Sequence, residues 1–122
     1  MATREESSAP EASAAAPTIH EAELASGPSG AVLYGAEIDV AAAVTRRQAG
    51  ENVVVRGGNV DANRRLAQRI ESAVGACVRG LPHVRHAGSQ ALPHFQQQAR
   101  DPPPPGGHSF YETDRRRARR KP

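Results

Sequence analysis

Apolar positions are scattered at the start of the chain and periodic after it. Residues 1–30 mix Ala, Ser, Glu and Pro with apolar side chains too few to offset an ordering entropy of about 1–2 kcal/mol per residue, so they are expected to form a disordered leader with His20 as an ordinary exposed histidine. Order is expected from Ala31, where Ala-Val-Leu-Tyr makes a short apolar run ended by Gly35. Between Glu37 and Ala49, Ile38, Ala41, Ala42 and Val44 recur at spacings of three and four, and Arg46, Arg47 and Gln48 close the pattern before Gly50. That spacing predicts a helix with the glycine as its stop. The β-branched run 52–56, closed by Gly57 and Gly58, predicts a buried strand. Asn59 or Asp61 can cap a second helix running through Val74, with Ala62, Leu66, Ile70, Ala73 and Val74 on one face, Arg64, Arg65 and Arg69 outside it, and Gly75 at its end.

Past Gly80 the periodicity stops. Prolines, glycines and histidines dominate 81–107, which predicts loop with one turn of helix or a short strand near 91–98. His108 to Glu112 alternates polar and aromatic residues and predicts a second strand, placing Ser109 and Tyr111 on one face and His108 and Phe110 on the other. The expected architecture is α+β: two helices packed on a small sheet built from 52–56 and 108–112, with a Pro/His-rich loop over one edge. The chain divides into a leader (1–30), a domain (31–114) and a basic tail (115–122).

Composition limits the core. In 122 residues there is no Trp, and Tyr34, Phe95, Phe110 and Tyr111 are the whole aromatic complement. Burial therefore falls to Val, Leu, Ile and Ala at about 25 cal/mol per Å², and the single domain is expected to be modestly stable. The net charge of +3 hides an asymmetry: residues 1–51 carry eight acids against three arginines, and residues 52–122 carry thirteen bases against five acids. A basic half suits a polyanion through counterion release, although six of its bases lie within the last eight residues. Cys77 stands alone, which excludes an internal disulfide and a thiolate zinc cluster and leaves it as a small hydrophobe. No apolar stretch approaches the length of a membrane span, and Glu5 and Glu6 follow Met1 where an export signal would be basic and then apolar.

The candidate chemistry lies between residues 83 and 108, where His83, His86, His94 and His108 are joined by Arg85 and Arg100, with Arg79 just before them. Three readings compete. The histidines are loop residues without chemistry; or two of them cleave RNA without a metal, one imidazole taking the 2′-hydroxyl proton and the other protonating the leaving oxygen, while an arginine stabilises charge at phosphorus. In the third, His83, His86, His94 and His108 ligate zinc or another divalent ion. Against the metal stand the lack of an H-E-x-x-H pattern and of any carboxylate between Glu71 and Asp101. Arg64 and Arg65 sit beside a glycine turn and a helix start, which makes them either a solvated surface or a phosphate groove. The Arg-Gly-Gly-Asn turn lacks a Walker lysine, and Ser109 has no nucleophile-elbow glycines.

The segments Leu33–Asp39, Val53–Val55, Asn63-Arg64, Ala91-Leu92-Pro93-His94-Phe95 and Gly107-His108-Ser109-Phe110-Tyr111-Glu112 resemble the C-terminal toxin domains of bacterial polymorphic toxin systems. Such domains end long secreted carriers of the rearrangement-hotspot or haemagglutinin type. The likeness covers about residues 31–121, most specifically the Leu-Pro-His-Phe and Gly-His-Ser-Phe-Tyr motifs. It implies a ribonuclease without a cofactor that acts on RNA in a target cell's cytoplasm and is held in check by an acidic immunity protein. Without such delivery the chain is expected to be cytoplasmic. The roles it implies are His94 and His108 as the acid–base pair, Ser109 and Tyr111 positioning phosphate, and Arg85 or Arg100 stabilising charge; Arg64 and Arg65, from their place at the helix start alone, are further candidate substrate contacts. The alternatives are a nucleic-acid or immunity-protein binding module without catalysis and a His-ligated metal-dependent or zinc-stabilised domain.

Overall fold

A computed structural model of the chain describes residues 16–25, 31–82, 91–98 and 106–122. In chain order the elements are β1 (Thr18–Leu24), β2 (Val32–Ile38), α1 (Val40–Gln48), β3 (Asn52–Arg56), α2 (Val60–Val74), β4 (Cys77–Gly80), β5 (His94–Gln97), β6 (Ser109–Tyr111) and β7 (Arg119–Arg120). The seven strands form one mixed sheet in the order β4-β5-β6-β3-β1-β2-β7, and the helices pack on one of its faces, as expected of an α+β fold. The two strands legible in the sequence are neighbours, β3 and β6 running parallel with Val54 opposite Phe110.

Two expectations about order are corrected. Residues 18–24 are not leader: β1 lies inside the sheet, paired antiparallel with β2 on one edge and β3 on the other. Its alternation sends Ile19 to the helix-side core and Ala22 to the far side, so backbone pairing on both edges makes up for few apolar residues. The basic tail is likewise part of the fold. Thr113 Oγ1 accepts from the Arg116 N–H (3.1 Å) in a turn, Ala118 is buried with its N–H donating to Glu112 Oε2 (2.8 Å), and β7 pairs parallel with β2. The remainder of the expected leader, 1–15 and 26–30, lies outside the described residues.

Both helices are where the periodicity puts them, but each is rotated. In α1, Asp39 is the N-cap, its Oδ1 accepting from the Ala42 N–H at 2.8 Å, and the buried positions are Ala43 and Arg47 rather than Ala41 and Ala42. In α2, Asn59 rather than Asp61 is the cap, and Asn63, Ala67, Ile70 and Glu71 are buried. An apolar stripe alone misjudges these faces because Arg47, Asn63 and Glu71 are buried as hydrogen-bonded polar groups, which costs little when every donor and acceptor is met. Arg64, Arg65 and Arg69 do lie off the buried face.

The sheet separates two cores. Against the helices pack Ile19, Val53, Val55, Phe95 and Tyr111 with Ala43, Ala67 and Ile70. On the far face Ala22, Val32, Val54 and Phe110 are covered by Leu92 and Ala118 from the flanking segments. No described helix is long and apolar enough to cross a membrane.

Candidate functional site

β5 and β6 pair antiparallel with His94 opposite Phe110, so the two side chains share the far face, and alternation puts His108 there as well. The three rings touch: His94 and His108 centroids are 4.4 Å apart, His94 and Phe110 5.6 Å, His108 and Phe110 5.2 Å. His94 is 1% exposed, whereas His108 is half-buried and forms the open edge of the cluster. The His94 Nδ1 lies 3.3 Å from the Leu92 carbonyl oxygen, as suits a tautomer that donates from that nitrogen. Across β4 the ring lies over Gly80, its register partner, where a Cβ would fall 2.2 Å from Nε2. Any side chain at that position would have to displace the imidazole, so glycine makes room for it.

Contact between the rings constrains their chemistry. An in-line acid–base pair flanks phosphorus, each nitrogen about 3 Å from its own oxygen, so a phosphate has to fit between the two imidazoles. Rings already in contact leave no such gap. The arrangement suits one proton-transferring imidazole, His108, supported from behind by a second.

Ser109 and Tyr111 do not join them. They project to the helix side, as the alternation predicts, and Ser109 is engaged there: its Oγ donates to Glu71 Oε1 at 2.8 Å. Glu71 also accepts from Arg47 Nε (2.8 Å) and Nη2 (3.0 Å) and from Gln97 Nε2 (2.6 Å). Arg47 Nη1 donates further to the Glu51 and Gly106 carbonyl oxygens at 3.0 and 2.7 Å. Arg47 and Glu71 are fully buried, and the knot they centre on joins α1, α2, β5 and β6. Glycines make room for it. A Cβ at Gly107, whose φ is +85°, would lie 2.8 Å from Arg47 Nη1, and one at Gly75 would lie 2.4 Å from Gln97 Oε1. With four donors on two oxygens and no exposure, this carboxylate holds the fold together and cannot meet a substrate. The signals for it in the sequence are Arg47 four residues after Ala43 and Glu71 four after Ala67, one stripe on each helix.

The remaining candidates divide. Arg65 is exposed on α2, and Arg64 lines a cleft with Arg79, Tyr111 and Arg116. His83, Arg85, His86 and Arg100 lie outside the described residues. Among the described residues no group of three or more His, Cys, Asp or Glu side chains is arranged to hold a metal, so of the expected ligands only His94 and His108 are seen together. Sequence reasoning passes over Arg79 and Arg116 as cleft residues, because only the fold brings β4 and the segment after β6 to the start of α2.

No family model, curated protein or solved structure matches the chain.

Proposed function

We propose that this domain cleaves RNA without a metal, in the manner of the polymorphic-toxin nucleases it resembles, with His108 as the proton-transferring group and His94 as the residue that positions it. One observation supports the reading above the others: the fold brings together the histidines of the two most specific motifs, His94 and His108, in ring contact with one edge open to solvent. Positioned acid–base catalysis by one imidazole contributes about 10²–10⁴ in rate. The basic half of the chain matches the RNA and also an acidic immunity protein bound in trans.

A second reading, binding of nucleic acid or an immunity protein without catalysis, is favoured by the burial of His94 and by the use of Ser109 in the Glu71 knot. Purified protein incubated with total RNA in EDTA separates the two. Cleavage is expected to persist in the chelator, to disappear in His108→Gln, and to survive weakly in His94→Gln with the pH profile of the wild type. RNA binding without cleavage by the wild-type protein leaves the binding module. Cleavage lost with EDTA and restored by zinc returns the metal reading, with His83 and His86 as the further ligands to test.

A further inference from the structure

We infer that the cleft at the start of α2 is a phosphate site, distinct from the histidine pair. Its cavity is about 240 Å³, and its walls bring together three arginines from separate elements: Arg64 from α2, Arg79 from β4 and Arg116 from the segment after β6. No described residue lining it is acidic. Arg64 pairs with Asp61 at 3.0 Å one turn back, an exposed contact that water or an anion replaces at little cost. Arg79 is exposed and has no carboxylate within ion-pair reach among the described residues. Arg116 Nη1 donates to the Ala91 carbonyl oxygen at 3.2 Å, which holds that guanidinium at the cleft wall.

Beside the arginines, the lining supplies hydroxyl groups. Tyr111 is 2% exposed and lines the cleft, yet its hydroxyl makes no hydrogen bond to any described residue. A phenol at a cleft wall, free of a protein acceptor, can donate to an anion that enters. Beside it, Thr113 Oγ1 accepts from the Arg116 N–H, leaving its hydroxyl proton for an acceptor from outside. Guanidinium forks, two hydroxyl donors and the positive end of a 15-residue helix all suit an oxyanion, and donors converging from three separate elements suit the several oxygens of a tetrahedral phosphate. Leu81, 74% exposed at the rim, adds an apolar shelf of the kind a ribose or base covers.

The phosphate assignment stands on the cleft alone. Its use as a backbone subsite for RNA rests on the function proposed above. Tyr111 and the histidines face opposite sides of the sheet, so the subsite holds the strand away from the scissile bond and acts on affinity rather than chemistry.

Amide chemical shifts of the full chain, titrated first with inorganic phosphate and then with a short single-stranded RNA, test both parts. Phosphate is expected to move the amides of Arg79, Tyr111 and Thr113, and the RNA to move the same set at lower concentration. Arg79→Ala and Tyr111→Phe, each checked for an unchanged thermal midpoint, are expected to weaken both ligands about fivefold to tenfold, and Arg79→Ala to flatten the salt dependence of RNA affinity by the equivalent of about one phosphate. Unchanged binding in both variants, or shifts mapping elsewhere, overturns the site. Phosphate binding without RNA binding there overturns the subsite, and shifts with polyglutamate but with neither phosphate nor RNA give the cleft to an acidic protein and overturn the assignment. Failure here is separable from failure of the proposed function. Cleavage that depends on His108 with wild-type KM in Arg79→Ala removes the subsite and keeps the nuclease, whereas phosphate and RNA binding in the cleft of a protein that cleaves nothing does the reverse.

Discussion

The two faces of the sheet bury polar side chains on different terms. On the helix side, Glu71 meets four donors from Arg47, Gln97 and Ser109, and the group has no exposure. On the far side, His94 is packed against the rings of His108 and Phe110, and the cluster opens to solvent at His108. Ser109 and His108 are adjacent in sequence, yet strand alternation sends one to each face and so gives them unlike roles. Burial of a polar residue is therefore no guide to chemistry by itself. What separates a structural polar group from a candidate reactive one here is whether any edge of it reaches water.

The helix side is expected to carry the larger energetic penalty when broken. Glu71→Ala strands the buried Arg47 guanidinium and removes the acceptor of Gln97 and Ser109, at a cost of about 3–5 kcal/mol out of a typical total of about 5–15 kcal/mol. Urea unfolding followed by circular dichroism measures it. Replacing both charges, Arg47→Met with Glu71→Met, is expected to cost less than Glu71→Ala alone, because no charge is left unpaired. A loss below about 1 kcal/mol for Glu71→Ala would mean that water reaches Arg47 and that the two faces do not differ in closure.

The far side is expected to separate stability from activity. His94→Ala opens a hole between Gly80 and His108 and should cost about 1–3 kcal/mol by analogy with other large-to-small core changes. His108→Ala, at the open edge, should cost under about 1 kcal/mol and yet lower RNA cleavage at least ~100-fold, equivalent to about 2.7 kcal/mol of barrier. Thermal melts and single-turnover cleavage on the same preparations give both numbers. If His108→Ala is the more destabilising of the two, the far side is as closed as the helix side and the assignment of His108 to chemistry falls.

How much of this is legible in the sequence depends on which physical signal each element carries. β3 and β6 are legible because β-branched and alternating aromatic residues mark strands in short windows, and the alternation places Ser109 and His108 on opposite faces. α1 and α2 are legible as helices through their caps and spacing, but their buried faces are not, since Arg47, Asn63 and Glu71 read as outward-facing until their partners are known. β1 is hidden for a different reason. Its residues Thr-Ile-His-Glu-Ala-Glu-Leu carry two acids and a histidine, and its place in the sheet rests on backbone ladders to β2 and β3. His20, expected to be exposed, is half-buried there, with Nδ1 2.9 Å from the Gly35 carbonyl oxygen. The pairing of His94 with His108 rests in the sequence on motif density alone, and only the β5–β6 register turns it into geometry.

A smaller effect probes how far the Glu71 knot stiffens α2. Asn59→Ala removes the acceptor for the Ala62 N–H and is expected to cost about 1 kcal/mol. Hydrogen exchange should quicken at Ala62 and Asn63 and stay slow at Glu71, because the knot pins the far end of the helix independently of its cap. Equal acceleration along the whole helix would show that α2 opens as one unit and that the knot does not anchor it.

The smallest expected effect concerns the C-terminal charges. Deleting 115–122 is the wrong probe, since it also removes buried Ala118, its bond to Glu112 and the β7 pairing with β2. Arg115→Gln with Arg117→Gln changes only exposed side chains and should leave stability within about 0.5 kcal/mol. If these arginines meet phosphate, the slope of log affinity for single-stranded RNA against log salt should become shallower by about 0.7 for each phosphate no longer neutralised. An unchanged slope would make them a solvated surface. The proposed arginine cleft on the helix side of the sheet would then be the remaining candidate for phosphate contacts, which sharpens the division between the two faces.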